Sequence, residues 1–199
     1  MTTTYNRKNP CTAKLMKAEL LTVGCSEKDT WHYEISLQGS GLEYLPGDSL
    51  ALFSHNSPAL ADEVLAALGF SGSELVEDPD GAPTDIRTAL IESYAITAPD
   101  KKFLAAVDQK TSTTTAFGEL LAPDRKKDLA DWLWGREIID VLLDYPDAKF
   151  TPDEFVSVLK KLQVRLYSIA SSLKAQPDEV HLTVATVAYE TFGRKRQGV

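Results

Sequence analysis

Alternation of apolar and polar residues predicts β-strands in the first part of the chain. From Trp31 to Leu37 every second residue is apolar, which is the period of a strand with one face in a core. Residues 16–20 alternate in the same way, and a short apolar run covers residues 50–53. We therefore predict three antiparallel strands in this part of the chain.

The pattern then changes from a strand period to a helical one. Ser57 can cap a helix that begins at Pro58, and Gly69 can end it in a left-handed conformation. Helical periodicity continues from about residue 84 to 161. The segment Thr151-Pro152-Asp153-Glu154 is a capping box that predicts one more helix. The residues that this last helix is predicted to bury are Phe155, Val158, Leu159 and Leu162.

Strands are predicted again from about residue 163. Two groups of strands on either side of a helical block indicate one sheet that is interrupted by an insertion, because the separated strands need each other to complete their pairing. We predict a β-barrel plus α fold, with the barrel formed by residues 1–56 and 162–199. Residues 57–161 are predicted to be a helix-rich insertion.

Composition and charge narrow the possible partners. The chain has 199 residues, is 43% hydrophobic and carries a net charge of −8, so it can bury a substantial core. The negative charge argues against nucleic acid and anionic membranes as partners; it would suit a basic redox partner, although a solvated acidic surface is the commoner reason for it. The sequence contains no apolar run of membrane-spanning length and no N-terminal signal pattern, and we predict a cytoplasmic domain.

The cysteines and histidines show no spacing typical of a metal site. Cys11 and Cys25 lie well apart without a C-x-x-C pattern, so we predict free thiols and no bound metal. His32, His55 and His181 are distant from one another in sequence, and nothing links them to a nucleophile and an acid. A hydrolase triad is therefore disfavoured.

Residues 165–172, Arg-Leu-Tyr-Ser-Ile-Ala-Ser-Ser, combine a phosphate-binding side chain, an aromatic ring and hydroxyl groups. The planar guanidinium of Arg165 suits a pyrophosphate. Tyr167 lies two residues along the predicted strand, on the same face, and can stack on a flat ring. Ser168 can direct its hydroxyl at a ring edge. The segment predicts a ligand with a phosphate and an aromatic ring; a buried strand with an ion-paired arginine is the alternative.

This octapeptide resembles the flavin motif of the ferredoxin-NADP reductase superfamily, in the form found in diflavin reductases. The resemblance implies that Arg165 binds the FAD pyrophosphate and that Tyr167 stacks on the isoalloxazine. It places Leu166 in the same cofactor-binding segment and makes Ser168, near the reactive flavin nitrogen, the catalytic residue. Arg-Leu-Tyr-Ser is mildly closer to the sulfite reductase flavoprotein branch than to the cytochrome P450 reductase branch. The implied fold is a six-stranded antiparallel Greek-key flavin-binding barrel with a helical connecting insertion.

Three further segments extend the resemblance along the chain. Pro46-Gly47-Asp48 is similar to the family's turn into a barrel strand. Residues 180–190 resemble the next barrel strand of the FAD site, and Gly198-Val199 resembles the start of the pyrophosphate loop, which opens a helix whose amides bind phosphate. The residues that the resemblance adds to the FAD site are Thr183, Val184, Ala185, Tyr189, Gly198 and Val199.

The resemblance implies an NADPH-dependent flavoprotein oxidoreductase. In the family, hydride passes from NADPH to FAD, and electrons continue to a redox partner such as an FMN domain, a haem protein of the sulfite reductase hemoprotein type, or an iron–sulfur protein. The sequence has no Gly-rich nucleotide fingerprint and no preceding FMN domain. We expect the chain to be a fragment that starts at a true N-terminus and is shortened at its C-terminal side. The alternative is a non-catalytic module that binds flavin or docks a partner.

Overall fold

A computed structural model describes residues 5–6, 9–24 and 26–199. The chain divides into two compact units. The first unit contains the described residues up to Phe53, together with Val164–Tyr189 and Arg196–Gly198. The second unit contains Ser54–Gln163, together with Glu190–Lys195 and Val199. The predicted free thiol of Cys11 is confirmed, whereas Cys25 lies outside the described residues.

The described residues form eleven strands and seven helices. The strands are β1 (Leu15–Leu20), β2 (Thr30–Ser36), β3 (Ser49–Leu52), β4 (Leu75–Glu77), β5 (Pro83–Asp85), β6 (Tyr94–Ala95), β7 (Lys160–Lys161), β8 (Arg165–Ser168), β9 (Glu179–Ala185), β10 (Ala188–Thr191) and β11 (Arg194–Gln197). The helices are α1 (Pro58–Leu68), α2 (Ile86–Glu92), α3 (Lys101–Lys110), α4 (Phe117–Leu120), α5 (Lys126–Leu133), α6 (Ile138–Asp144) and α7 (Pro152–Ser157). Within this part of the chain, none of the helices has the length and apolar character needed to cross a bilayer.

The first unit is built from two small antiparallel sheets. One has the order β1-β2-β9, and the other pairs β3 with β8. The two sheets meet where Ile169 bridges Leu182 and the Ala170 N–H donates to the His181 carbonyl oxygen at 2.9 Å. Strands that precede the helical block therefore pair with strands that follow it, which is why a separate stretch of chain can be inserted between them.

The predicted first three strands are confirmed as β1, β2 and β3, but their surroundings differ from the expectation. Every residue of β2 is half-buried, on both faces, because β2 is the central strand of its sheet and both faces carry large side chains. β1 is exposed throughout, as an edge strand. The described strands form several small sheets and no closed barrel. Barrel closure thus stays a prediction.

The largest hydrophobic core lies in the second unit. Its centre includes the buried rings of Phe103, Phe150 and Phe155. Phe103 stacks on Phe150 with ring centroids 6.5 Å apart and meets Phe155 edge to face at 6.4 Å. Offset and edge-to-face arrangements such as these are the favourable geometries for aromatic pairs.

The predicted caps of α1 are both present. The Ser57 hydroxyl accepts a hydrogen bond from the Leu60 N–H at 3.5 Å, and Pro58 occupies the first turn. Gly69 ends the helix with a φ of 74°. A residue with a Cβ is strained in this left-handed conformation. Hydrogen bonds local in sequence thus account for both ends of α1.

The last helix of the second unit is shorter than predicted. Its capping box is confirmed, because the Thr151 N–H donates to Glu154 at 2.8 Å and the Glu154 N–H donates to the Thr151 hydroxyl at 3.3 Å. However, α7 ends at Ser157, so Val158, Leu159 and Leu162 lie beyond it. Leu162 is nevertheless buried, and Val158 and Leu159 pack partly buried against the core, as predicted. Strand β7 follows and pairs with β6. Because β6 is distant in sequence from β7, no local pattern predicts that the helix gives way to a strand here.

Asp147 ties the loop after α3 to the segment after α6. Its carboxylate accepts hydrogen bonds from the Ser112 hydroxyl at 2.6 Å, the Thr111 hydroxyl at 2.6 Å and the Ser112 N–H at 2.7 Å. These hydrogen bonds hold the pKa of Asp147 well below its usual range, and the one from the Ser112 hydroxyl contributes most. The charged form of Asp147 is thus favoured in the folded state.

We expect Asp147→Asn to lower the thermal midpoint at neutral pH. Because the folded pKa is depressed, the stabilisation is complete above the unfolded value of about 3.9 and is lost as pH falls through the folded pKa. Melting curves at about pH 7 and about pH 3 should show a smaller difference between variant and wild type at the lower pH. The exposed Asp124→Asn serves as the control, and a pH-independent difference would contradict this role.

Candidate functional site

The segment with the strongest sequence signal forms strand β8. The backbone of β8 pairs with β3 along its length, with Ser49 opposite Ser168. Arg165, Leu166 and Ser168 are exposed, and Tyr167 is half-buried. The alternative of a buried strand with an internal ion pair is therefore wrong. Alternation along the strand puts Arg165 and Tyr167 on one face, so a cation and an aromatic ring project together from a rigid backbone.

The turn before β3 holds the end of β8 in place. The Asp48 carboxylate accepts a hydrogen bond from the Leu45 N–H at 2.8 Å, and the Asp48 carbonyl accepts one from the Ile169 N–H at 2.9 Å. Gly47 lies between Leu45 and Asp48 and has a φ of 101°, which a residue with a Cβ adopts only with strain. The residue types of this turn thus fix the backbone directly after Ser168.

A chain of hydroxyl groups fastens the loop after β8 to β9. The His181 N–H donates to the Ser171 hydroxyl at 2.9 Å, which lies 2.6 Å from the Tyr44 hydroxyl. The Tyr44 hydroxyl donates to the Glu179 carbonyl oxygen at 3.0 Å. Since Tyr44 has only one proton, Ser171 must donate to Tyr44. Sequence reasoning missed Tyr44, because nothing in its local pattern indicates a partner so distant in the chain.

The predicted site residues of β9 come next to the end of β8. Leu182 bridges Ile169, so Thr183 and Ser168 both adjoin this bridge. Thr183 and Ala185 are exposed, whereas Val184 is half-buried. The structure therefore brings this part of the predicted set together with β8.

The remaining predicted residues belong to the β10-β11 hairpin or follow it. Tyr189 lies in β10 and is exposed. The Gly198 N–H donates to the Val187 carbonyl oxygen at 2.8 Å, and a Cβ at Gly198 would approach the Val187 Cβ to 2.9 Å. This approach explains why a glycine occupies that position. Val199 is half-buried and is grouped with the second unit.

The basic run Arg194-Lys195-Arg196 is not a single cationic patch. It lies in β11. Arg194 forms an ion pair with Glu63, Lys195 is exposed, and Arg196 is buried with 2% of its surface exposed. Burial of Arg196 was not indicated by the sequence, in which a charged run is usually solvated.

The exposed surface of the first unit has the composition that a flavin nucleotide requires. A guanidinium suits phosphate, an aromatic side chain suits a planar ring, and a hydroxyl suits the ring edge. Large apolar side chains are also left exposed on this unit. Those on or near β3, β8 and β10 include Leu45, Phe53, Leu166, Val187 and Tyr189. The residues present therefore fit FAD.

A cavity of about 270 Å³ lies behind the turn that precedes β3. It is smaller than most pockets for drug-sized ligands, which begin at about 300 Å³. Its lining residues are Leu37, Leu42, Glu43, Tyr44, Asp48, Ser49, Leu50, Ile169 and Val180. This lining contains none of the β8 residues Arg165, Tyr167 and Ser168, so a flavin held by these side chains would lie on the exposed surface of β8.

Comparison with known proteins agrees with the sequence resemblance. A family model described as FAD binding domain matches residues 3–199. The sulfite reductase [NADPH] flavoprotein alpha-component of Bacillus subtilis is 41% identical over 196 residues, which is 98% of this chain and 32% of the relative. The protein of the same name from Vibrio parahaemolyticus is 40% identical over 194 residues, covering 98% of this chain and 30% of the relative. The chain thus spans about a third of the length of these curated relatives.

Proposed function

Because the chain belongs to the family of FAD-binding domains, we propose that it binds FAD on β8 and is the FAD-binding portion of an NADPH-dependent flavoprotein reductase of the sulfite reductase type. The family match confirms the family that the sequence motifs predicted. The observation that carries the proposal is the arrangement of β8, where exposed Arg165 shares a face with Tyr167 and Ser168 stands exposed at the strand end.

Each side chain of β8 has a distinct role in the proposed complex. Arg165 binds the pyrophosphate with charge-assisted hydrogen bonds. Tyr167 stacks on the isoalloxazine, and Leu166 covers it with apolar surface. Ser168 donates or accepts a hydrogen bond at the ring edge. The residues that complete the site are Thr183, Val184, Ala185, Tyr189, Gly198 and Val199.

The proposed domain organisation follows the same logic. Residues 1–56 and 162–199 form the two parts of a six-stranded Greek-key flavin barrel, and residues 57–161 form a connecting insertion. The pairing of β2 with β9 and that of β3 with β8 support this barrel, because each joins a strand from the first part to a strand from the second. The helices between these parts support the insertion.

Bound FAD would supply hydride acceptance and one-electron transfer, while the protein supplies binding and orientation. In the complete protein the electron donor is NADPH, and the acceptor is a redox partner: an FMN domain, a sulfite reductase hemoprotein or an iron–sulfur protein. This chain contributes Ser168, whose hydroxyl can stabilise charge that develops on the ring. A cytoplasmic location suits these partners.

The first test is flavin retention by the purified chain. The chain is incubated with FAD and desalted, and its visible absorption spectrum is recorded. Retained flavin absorption, with one FAD per chain, is the expected result. A chain that elutes colourless although its circular dichroism shows it to be folded would contradict flavin binding by these residues.

We expect Ser168→Ala to slow flavin reduction in the complete flavoprotein while leaving FAD bound. Loss of a hydrogen bond to developing charge should slow the step by about tenfold or more. Stopped-flow mixing with NADPH measures this single-turnover rate, and the exposed loop serine variant Ser26→Ala is the control. An unchanged reduction rate for Ser168→Ala would remove the residue from the reaction.

The alternative function is a module that docks a partner without turnover. One observation favours it: Trp134, in the second unit, has 80% of its surface exposed. Its neighbour Trp132 instead packs edge-on against Phe117 with ring centroids 5.3 Å apart, so only Trp134 is available for docking. A folded chain that retains no FAD would favour this docking module, whereas a chain that retains FAD is separated from a non-catalytic flavin-binding module by the rate of flavin reduction in the complete flavoprotein.

A further inference from the structure

The three-stranded sheet of the first unit brings together His32, Glu34 and His181. One ligand atom from each of these side chains lies within 4.8 Å of the other two. We propose that the three residues form a binding site for a divalent transition-metal ion of the Zn²⁺ class, and that the bound ion connects β2 to β9. The site uses none of the residues assigned to FAD.

The distances suit a small tetrahedral ion. Zn²⁺ binds imidazole nitrogen and carboxylate oxygen at about 2.0–2.2 Å, so neighbouring ligand atoms are about 3.4 Å apart. His32 Nε2 and Glu34 Oε1 are 3.4 Å apart. The His32 and His181 rings meet at 89° with centroids 5.1 Å apart. The ligand atom of His181 lies within 4.8 Å of the other two, so it has to move by no more than about 1.4 Å to reach this spacing.

The backbone holds the three side chains on one face of the sheet. Glu34 is directly opposite His181 in the β2-β9 pairing. His32 lies two residues from Glu34, and residues at this spacing share a face. Because β2 is hydrogen-bonded to β1 on one side and β9 on the other, the ligands stand on a rigid support, which a metal site requires.

The charges around the cluster favour a cation. Glu34 and Glu19 face Lys17, whose Nζ lies 3.5 Å and 2.7 Å from their carboxylate oxygens. Glu179 lies 3.0 Å from His181 Nε2. Three carboxylates against one ammonium group leave an excess of negative charge when the histidines are neutral. Lys17 can keep its contact with Glu19 when a metal ion takes Glu34.

The exposure of the ligands suits an ion that enters from water. Their side chains are partly exposed, at 23% for His32, 24% for Glu34 and 13% for His181. Three protein ligands leave a coordination position for water. Two imidazoles and one carboxylate favour Zn²⁺ and similar transition metals over Mg²⁺ and Ca²⁺, which prefer oxygen ligands alone.

The position of the site in the chain indicates how a bound ion would affect the stability of the first unit. β2 precedes the stretch Ser54–Gln163 that belongs to the second unit, and β9 follows it. An ion that joins these strands closes a long loop in the chain, and an ion that binds only the folded form stabilises that form. We infer that the ion would reinforce the pairing of the two chain segments of the first unit.

The experiment is a titration of the chelator-treated 199-residue chain with ZnCl₂ by isothermal calorimetry, together with thermal melting. One ion per chain and a higher melting midpoint with Zn²⁺ are expected. His32→Ala and His181→Ala should each weaken binding by at least about tenfold. His55→Ala is the matched control, since His55 is exposed and lies in the second unit.

Two further measurements separate the site from other causes. Circular dichroism checks that each variant is folded, and Glu34→Gln, which keeps the side-chain size, provides a second test of the ligand set. Co²⁺ gives a visible spectrum that should change in Glu34→Gln and not in His55→Ala. Absence of binding by the wild-type chain, equal binding by all variants, or a loss caused by His55→Ala would each overturn the proposal.

Discussion

Arg165→Ala should weaken FAD binding by about 10- to 100-fold, since a charge-assisted hydrogen bond contributes about 1.5–3 kcal/mol. The guanidinium projects from β8 on the same face as Tyr167, where it can bind the pyrophosphate while the ring stacks on the flavin. Removing it leaves the ring contacts in place but takes away the phosphate ligand. Quenching of flavin fluorescence during titration of each variant measures the change in the dissociation constant.

Two variants make this experiment specific for the proposed contact. Arg125→Ala removes another exposed arginine, one that pairs with Asp128 on the surface of α5, and should leave FAD affinity unchanged. Arg165→Lys keeps the charge but lacks the planar fork, so its affinity should be intermediate. Equal affinities of Arg165→Ala and wild type would show that the pyrophosphate is bound elsewhere.

Phe103→Ala should lower the free energy of unfolding of the second unit by about 3–5 kcal/mol. Phe103 has 1% of its surface exposed and contacts the rings of Phe150 and Phe155. Truncation removes these contacts and leaves a cavity among side chains that relax only partly. Urea unfolding followed by far-ultraviolet circular dichroism measures the loss.

Conservative and surface variants set the scale for that loss. Phe103→Leu keeps most of the buried volume and should cost clearly less than the truncation to alanine. Leu143→Ala removes a side chain that has 54% of its surface exposed and should change stability by no more than about 0.5 kcal/mol. If Phe103→Ala were as stable as Leu143→Ala, the aromatic cluster would not be the centre of the core.

The helix ends show where sequence reasoning is sufficient. Ser57, Gly69 and Thr151 act through hydrogen bonds or backbone conformations that involve only a few neighbouring residues. Such signals are complete within a short window of sequence, so α1 and the start of α7 were predicted correctly. Of the three strands before α1, two were predicted from alternation and the third from a short apolar run.

Strands β4 to β7 show where sequence reasoning is not sufficient. β6 and β7 have two residues each, and they pair with each other although α3 to α7 lie between them. β4 and β5 are three-residue strands that form a hairpin. Strands this short have no measurable alternation of apolar and polar residues. Whether they form depends on the strand with which they pair. The sequence therefore predicted helix where β7 forms.

The candidate site could likewise be predicted from the sequence only in part. The residue types of β8, with a guanidinium, a ring and a hydroxyl in four consecutive residues, predict a ligand with a phosphate and an aromatic ring, and the family resemblance makes that ligand FAD. The structure adds exposure: it excludes a buried strand for Arg165 and places Thr183 beside the end of β8. Exposure depends on what covers a strand, which a strand's own residues do not specify.

The family, both ends of α1 and the start of α7 could be predicted from the sequence, because these depend on residue type and on neighbours within a turn or a strand. Only the tertiary structure decided that the Tyr44 hydroxyl meets Ser171 and that His32 meets His181. It also decided that Arg196 is buried while Trp134 is exposed. The physical reason is that pairing between distant strands sets which side chains share a face, and no local pattern carries that register.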